Sequence, residues 1–259
     1  MKDRILLFIP AYNCEKQIVR VLGQLNGAVM EFIDEVIVVN NRSTDNTEAA
    51  VNGYKAEHPE IKITLLRNKD NYGLGGSHKV AFSYAEENHF DYVIVLHGDD
   101  QGSIRDFLPV LAGRYYKKHD CILGARFMPG SKLVGYSKFR TVGNAVYNLL
   151  FAAVIRKRVY DLGSGLNMYS VKMLTSKFYE KFPDNLMFNY LMILASEYYG
   201  TDIKFFPISW REDDQVSNVK MVSQAKKVLA MLFEYYRDPN AITKDYREIE
   251  RESYEAEVV

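Results

Sequence analysis

Residues Val93–Gln101 read VIVLHGDDQ, and this stretch decides how the rest of the chain is interpreted. Its four apolar residues end abruptly in His97, Gly98, Asp99, Asp100 and Gln101. A short apolar run without alternation is typical of a strand that is buried on both faces of a parallel sheet. Ligands bind beside the carboxyl ends of such strands, where these side chains could hold a divalent cation against a phosphate. A loop in which Asp99 or Asp100 caps the next helix is an equally good interpretation of this stretch alone.

The composition is that of a globular protein with one large α/β domain or two small ones. Of the 259 residues, 47% are hydrophobic and 25% are charged. Lys+Arg and Asp+Glu both number 33, so the formal net charge is zero. We therefore expect no nucleic-acid partner, and any anion site must be local.

The number of cysteines and the length of the apolar segments indicate the cellular compartment in which the protein works. The two cysteines, Cys14 and Cys121, are too few for a disulfide framework and lack metal spacing. A reducing cytoplasm is the simplest expectation. The N-terminal sequence does not resemble a signal peptide, and no run approaches the roughly 18 apolar residues of a membrane span. We expect a cytoplasmic protein that lies at most on the inner face of a membrane.

The first half of the chain alternates predicted strands with predicted helices at intervals of about 25–30 residues. Strands are predicted at 4–9, 35–39, 61–66 and 92–96, and helices follow at 15–25, about 45–57 and up to about 88. This pattern predicts an α/β fold with a mostly parallel central sheet flanked by helices. Right-handed crossovers then bring four polar strand ends to one edge of the sheet. These ends are Pro10–Asn13, Asn40–Asp45, Arg67–Gly76 and His97–Gln101.

The second half is less regular. Helices are predicted at 103–117, 139–155 (apolar on more than one face), 188–199 and 219–236, strands at 121–123 and 202–206, and a polar loop at 210–217. The densely charged tail after Pro239 is expected to fray. We predict one domain over residues 1–215, followed by an amphipathic helix and charged tail over 216–259. Packing of that helix on the domain or a twin subunit is favoured over contact with a membrane.

Three groups of residues could carry chemistry. The glycine-rich segment Asn71–Gly76 lies between a strand and a helix, so it is either a phosphate cradle that Lys79 could assist or a tight turn. The amides and carboxylate of Asn40–Asp45 could recognise a base or ribose, although a helix cap is the simpler interpretation. Arg126, Lys132, Lys138 and Arg140 suit phosphate binding or a solvated basic face.

His97 and Asp99 lie two residues apart, so in an extended segment their side chains point the same way. Asp99 could hold one divalent ion, with His97 as a second ligand or as a phosphate donor. Mg²⁺ in proteins often uses one or two carboxylates and completes its shell with substrate phosphate oxygens.

Taken together, these stretches resemble the family 2 glycosyltransferases of GT-A fold, and within them the dolichol-phosphate mannose synthase group. The resemblance covers about residues 5–220. It rests on Pro10–Asn13, Asn40–Thr47, Asn71–Gly76, His97–Gln101, Gly124–Phe127 and Asp161–Gly165. The chain departs from the family where His97 replaces the first metal-motif acid and where Asn40 and Asn41 replace two acids.

The resemblance implies a nucleotide site and a metal, Mg²⁺ or Mn²⁺, bound by Asp99 and His97. The nucleotide-binding residues it implies are Pro10, Tyr12, Asn13, Glu15, Asn41, Ser43, Asp45, Asn71, Gly73, Lys79, His97 and Gly98. The sugar and acceptor residues it implies are Gln101, Arg126, Arg140, Asp161, Ser164 and Ser217. Asp99, Asp184 and Arg211 are the expected catalytic residues, with Asp184 as the candidate base.

The function implied is an inverting glycosyltransferase. It would move a sugar from a nucleoside diphosphate sugar to a polyprenyl phosphate or to a lipid-linked or surface glycan. A sugar hydroxyl needs a base, whereas an ionised lipid phosphate does not, so the weak base signal at Asp184 favours the phosphate. A sugar-nucleotide-forming nucleotidyltransferase and a non-catalytic nucleotide-sugar-binding subunit are the alternatives. Peripheral membrane contact and a homo-oligomer both remain open.

Overall fold

The computed structural model describes residues 2–212 and 221–259. Ten strands occur in this part of the chain: β1 (Ile5–Ala11), β2 (Glu35–Asn40), β3 (Ile63–Asn68), β4 (Tyr92–Leu96), β5 (Cys121–Ala125), β6 (Lys132–Val134), β7 (Leu166–Ser170), β8 (Ile203–Pro207), β9 (Ser209–Arg211) and β10 (Ala256–Val258). Eight of them form one sheet in the order β10-β3-β2-β1-β4-β7-β5-β8, and β6 pairs with β9 separately.

The sheet is mostly parallel, as predicted. Strands β3, β2, β1 and β4 run parallel to one another, and β5 runs parallel to β8. Strand β7 is antiparallel to both β4 and β5, and β10 is antiparallel to β3. Every residue of β2 and nearly every residue of β1 and β4 is buried. Burial on both faces explains why these strands read as unbroken apolar runs.

Helices cover both faces of the sheet. They are α1 (Glu15–Leu22), α2 (Gly27–Met30), α3 (Thr47–Glu57), α4 (Gly73–Glu87), α5 (Leu108–Ala112), α6 (Lys138–Ile155), α7 (Val171–Leu174), α8 (Met187–Tyr198) and α9 (Met221–Arg237). Helix α1 buries Ile18, Val21 and Leu22 on one side of the sheet, and the core on the other side includes α4 and α8. This three-layer arrangement is the expected α/β architecture.

Several boundaries differ from the predictions. The predicted helix 103–117 consists of α5 between two short 3₁₀ turns, and it breaks where Arg114 takes a left-handed φ of 50°. Helix α4 begins at Gly73, so the glycines form its first turn instead of a preceding loop. Strand β7 was not predicted, and β6 and β9 have only three residues each. The predicted boundary between residues 215 and 216 lies outside the described residues.

The charged tail does not fray, which corrects the prediction. Strand β10 pairs with the edge strand β3, and Arg67 Nη2 lies 2.7 Å from Glu257 Oε1. Lys69 pairs with Glu255 beside it. Opposite charges therefore face each other along this pairing, so the charge that suggested disorder helps to hold the tail. Within residues 2–212 and 221–259, no helix is long and apolar enough to cross a membrane.

Candidate active site

The parallel strands bring four polar strand ends to one edge of the sheet, and backbone hydrogen bonds join the ends of β1, β2 and β4. Asn41 N donates to Ala11 O at 2.9 Å, which links the end of β2 to that of β1. Gly98 N donates to Pro10 O at 3.1 Å, which links the end of β4 to that of β1. Tyr12 lies beside this junction and is half-exposed. The predicted clustering of the motifs is therefore present.

Side-chain hydrogen bonds join the loop after β1 to the loop after β2. Asn13 Oδ1 accepts from Thr44 N at 2.8 Å, and Ser43 Oγ accepts from Asn13 N at 3.0 Å. Asp45 Oδ2 accepts from Glu15 N at 3.1 Å. Burial alone would raise the pKa of Asp45, but hydrogen bonds from Thr47 and nearby amides lower it. The predicted residues Asn13, Glu15, Ser43 and Asp45 thus share one cluster, in which they shape the loops.

Asn41 is a buried junction between three segments. Its Oδ1 accepts from Asn68 Nδ2 at 2.9 Å and from Tyr72 N at 2.8 Å. Its Nδ2 donates to Asn71 Oδ1 at 2.8 Å, and that oxygen also accepts from Gly73 N at 3.0 Å. Asn41, Asn71 and Gly73 therefore lie together as predicted. The side-chain amides of the two asparagines and the backbone N–H of Gly73 all form hydrogen bonds within the protein.

Lys79 is a structural cation, which corrects the expectation that it reaches a phosphate. Its side chain is only 2% exposed. The ammonium donates to Phe182 O at 2.6 Å, Asp184 Oδ1 at 2.7 Å and the Tyr254 hydroxyl at 2.9 Å. These three acceptors use all three ammonium protons. Burial lowers the pKa of Lys79, and Asp184 opposes that shift.

Asp184, the candidate base, belongs to the same cluster. Tyr254 donates to its Oδ1 at 2.7 Å, and Arg251 Nε lies 3.8 Å from its Oδ2. Its carbonyl accepts from Gly75 N at 2.7 Å, which holds it against the first turn of α4. A carboxylate held by these neighbours is poorly placed to accept a proton from a substrate hydroxyl.

The two acids at the end of β4 have different surroundings. Asp100 has a left-handed φ of 60° and is buried. Its carboxylate lies 2.6 Å from Arg20 Nε and also pairs with Arg211, whose Nε donates to the Asp100 carbonyl at 2.9 Å. Asp99 is partly exposed, and its Oδ1 accepts from Gln101 N at 3.2 Å. Burial raises the pKa of Asp99 to about 6.

His97 is packed into the protein. Its ring centroid lies 6.5 Å from that of His78, and a Cβ at Gly165 would lie 2.6 Å from His97 Cγ. Its Nε2 is buried without a hydrogen-bond partner among the described residues. Burial and the nearby Arg126 lower the pKa of His97 to about 4, so the ring is neutral at pH 7.

The donor set suits one hard cation that is shared with a substrate. Within the described ranges no three or more His, Cys, Asp or Glu side chains are grouped so that they could hold a metal. The carboxylate of Asp99 is the type of ligand that Mg²⁺ or Mn²⁺ takes, and diphosphate oxygens would complete the shell. Metal binding by His97 stays a prediction, which its buried ring does not favour.

Both predicted acceptor arginines pair with acids. Arg126 Nε and Nη2 donate to the two carboxylate oxygens of Asp161 at 2.7 and 2.8 Å. Arg140 Nη1 lies 2.6 and 2.7 Å from the two oxygens of Glu212. The Arg126 pair is buried, whereas the Arg140 pair is partly exposed. An incoming phosphate would therefore displace Glu212 more readily than Asp161.

Three further residues, Gln101, Ser164 and Ser217, were predicted to bind the sugar or the acceptor. Ser164 is buried, and its hydroxyl donates to Leu166 O at 3.2 Å. Gln101 O accepts from Arg211 N at 3.0 Å. Ser217 lies outside the described residues.

Sequence reasoning missed two residues near the site. Asn189 is buried in α8 beside Gly163, and its Oδ1 has no partner among the described residues. Tyr254 reaches Lys79 from the tail, 175 positions away. No local pattern marks either residue, because only tertiary packing brings them to the site.

Residues 7–179 match the model of Glycosyl transferase family 2. The chain belongs to this family. It is 26% identical over 171 residues to an undecaprenyl-phosphate mannosyltransferase of Micrococcus luteus, covering 66% of this chain and 68% of that one. It is 24% identical over 185 residues to a UDP-N-acetylglucosamine–dolichyl-phosphate N-acetylglucosaminyltransferase of Methanococcus voltae, covering 67% and 72%.

Solved structures confirm the GT-A fold of this glycosyltransferase. Glucosyl-3-phosphoglycerate synthase from Mycobacterium tuberculosis in complex with UDP superposes with a TM-score of 0.65 at 17% identity, covering 91% of this chain and 80% of that one. The same synthase is known in complex with Mn²⁺, UDP-glucose and phosphoglyceric acid, with a TM-score of 0.64 at 17% identity and the same coverage. TarS of Staphylococcus aureus in complex with UDP-GlcNAc gives 0.61 at 20% identity, covering 88% and 65%.

Proposed function

We propose that this glycosyltransferase moves a sugar from a nucleoside diphosphate sugar to a polyprenyl phosphate, with inversion at the anomeric carbon. The observation that carries the proposal is the position of Asp99. It offers a partly exposed carboxylate at the carboxyl end of β4, next to the joined loops after β1 and β2. Ligands of open α/β sheets bind at this place.

Two features support a phosphate acceptor over a sugar hydroxyl of a lipid-linked or surface glycan. The relatives from M. luteus and M. voltae are named for transfer to undecaprenyl and dolichyl phosphate. The candidate base Asp184 is held by Lys79 and Tyr254. A lipid phosphate is already ionised and needs no base, so an occupied Asp184 is compatible with catalysis.

Different residues would bind the sugar donor and the phosphate acceptor. Mg²⁺ or Mn²⁺ held by Asp99 would neutralise the charge of the leaving diphosphate. Asp161 and Ser164 would shape the sugar pocket, and Arg140 would exchange Glu212 for the acceptor phosphate. That phosphate oxygen attacks the anomeric carbon from the face opposite the leaving diphosphate, which inverts the configuration. Both cysteines are free thiols, which supports a reducing cytoplasmic location. A position at the inner face of a membrane stays a prediction. A homo-oligomer stays a prediction.

A panel of nucleoside diphosphate sugars incubated with a short prenyl phosphate tests the proposal. We expect one donor to be consumed with Mg²⁺ or Mn²⁺ and to be stable in EDTA. Nuclear magnetic resonance of the product should show the inverted anomer. A product with retained configuration, or full activity in EDTA, contradicts the proposed mechanism.

The replacement of family acids by Asn40, Asn41 and His97 favours one other candidate, a non-catalytic nucleotide-sugar-binding subunit. Asn40 donates to Glu48 at 3.0 Å, so this amide contributes to the scaffold. The second candidate predicts donor binding in calorimetry without hydrolysis or transfer to any acceptor.

A further inference from the structure

Helix α6 presents an apolar stripe to the outside of the protein. The side chains that face outward are Lys138, Phe139, Val142, Ala145, Val146, Leu149, Leu150 and Ala153, and all except Lys138 are apolar. Phe139 is 75% exposed and Leu149 is 70% exposed. Surface helices normally turn their apolar stripe toward the core, so an apolar outer stripe indicates a surface that another phase or molecule covers.

The inner face of α6 buries Phe151 and Ile155 and also carries polar side chains. Asn144 Nδ2 donates to the Tyr136 hydroxyl at 3.0 Å, and Asn148 Nδ2 donates to Tyr160 O at 2.8 Å. Arg140 reaches inward to Glu212. These hydrogen bonds fix the rotation of the helix about its axis. The outward position of the apolar residues is therefore determined by the fold.

Helix α9 packs beside α6 and adds to this surface. It buries Val228, Met231, Leu232 and Tyr235 against the protein. It exposes Leu229, Phe233 and Tyr236, which recur at the spacing of one helical face. The C-terminal helix thus both packs on the domain and leaves an apolar face outward.

The charge around α6 identifies the kind of surface that covers it. Residues 121–160 contain seven Lys or Arg and no Asp or Glu, although the whole chain is neutral. Three of these cations, Arg126, Arg140 and Lys157, pair with acids from other parts of the chain. Lys138 lies at the start of the helix, and Arg156 and Arg158 lie exposed just beyond its end. An apolar stripe flanked by basic residues is the pattern of helices that lie in the interface of an anionic bilayer.

We infer that the outer face of α6, extended by α9, docks on an anionic lipid bilayer. A second copy of the chain is a poorer occupant, because a two-fold interface would place the same basic residues against themselves. The inference deepens the proposed function and rests on it in one respect. Arg140 lies in the first turn of α6, so docking would bring the proposed phosphate site to the membrane surface.

Flotation of the full chain with vesicles tests the docking surface, and it needs no donor or acceptor. We expect the protein to float with phosphatidylcholine vesicles that contain phosphatidylglycerol, and to float less with phosphatidylcholine alone. Leu149→Glu should lower the bound fraction at least tenfold. The matched control is Val19→Glu, which adds the same charge at an exposed apolar residue of α1 and should leave binding unchanged.

Three results would overturn the docking surface. Leu149→Glu could float with vesicles as well as wild type does, or Val19→Glu could lose as much vesicle binding as Leu149→Glu. Light scattering without lipid could also show a dimer that Leu149→Glu dissociates. Circular dichroism of both variants excludes unfolding as the cause. Failure of the proposed function looks different, since vesicle binding would persist while no prenyl phosphate accepted a sugar. Transfer to a short water-soluble prenyl phosphate should survive Leu149→Glu.

Discussion

The ends of β2 and β4 lie at the same edge of the sheet, and both were predicted to bind the donor. They are organised differently. At the end of β2, Asn41 and Asp45 are engaged by neighbouring loops through short hydrogen bonds. At the end of β4, the left-handed residue Asp100 bonds to Arg20 and Arg211, while Asp99 beside it stays partly exposed.

The difference shows that a polar strand end is not by itself a binding site. Amides that are already paired with protein groups hold the loops in place and fix the shape of the pocket. Hydrogen bonds lower the pKa of Asp45, whereas burial raises the pKa of Asp99 to about 6, so a bound cation would stabilise the Asp99 carboxylate more. We therefore expect substitution of Asp99 to change activity, and substitution of Asp100 or of Asn41 at the end of β2 to change stability.

The largest expected effect is that of Asp99→Asn. Removal of the charge that holds the cation should lower the rate of sugar transfer by about 10²–10³-fold. The free energy of unfolding should change little. Donor consumption with saturating Mg²⁺ and urea denaturation of the same preparation measure the two quantities.

Asp100→Asn provides the contrast, because it removes the neighbouring charge and an amide tolerates a left-handed φ. It should lower the free energy of unfolding by about 1–3 kcal/mol, since Arg20 and Arg211 lose a buried charged acceptor. If Asp99→Asn were the less stable of the two variants, the functional distinction between them would be wrong.

The first half of the chain was predictable because its signals are local. Strands buried on both faces give unbroken apolar runs, and β1, β2 and β4 lie close to where the sequence placed them. The polar residues after each run could be assigned to one edge from topology alone. The separate tasks of Asp99 and Asp100 could not, since they depend on one left-handed backbone residue.

The second half was predicted less well because its structure depends on distant partners. Strand β7 includes the buried polar residue Asn167, and β10 is a short segment of a charged tail. The sequence position of Lys79 suggests a phosphate ligand, but Asp184 and Tyr254 surround its ammonium. The direction in which α6 faces follows from inward bonds of its asparagines, which the apolar pattern alone does not show.

A smaller effect is expected for Asn41→Ala at the end of β2. The substitution leaves the backbone N–H of Tyr72 and the side chain of Asn68 without their acceptor. We expect a loss of about 1–3 kcal/mol in the free energy of unfolding, measured by urea denaturation. Asn46→Ala in the same loop is the control. Asn46 is exposed and its side chain makes no cap, so its removal should change stability by no more than about 0.5 kcal/mol. Equal losses in the two variants would contradict the scaffold role.

The smallest effect concerns Glu35, at the opposite end of β2. Burial would raise its pKa, but hydrogen bonds from Lys62, Tyr84 and Thr64 outweigh burial and lower the pKa below the ordinary 4.5. A carboxyl with a lowered folded-state pKa stabilises the fold above its unfolded pKa, and this contribution is lost as the pH falls through the folded value. Glu35→Gln should therefore lower the free energy of unfolding by on the order of 1 kcal/mol at about pH 6.

The pH dependence separates a charge effect from a packing effect at Glu35. The difference in unfolding free energy between wild type and Glu35→Gln should shrink as the pH is lowered from about 5 toward 3, because the wild-type carboxyl becomes protonated. Transfer activity per folded molecule should stay the same at every pH, since Glu35 lies at the end of β2 remote from the candidate site. A stability difference that is constant with pH would mean that the carboxylate charge contributes nothing. A loss of activity in the folded variant would mean that both ends of β2 affect catalysis.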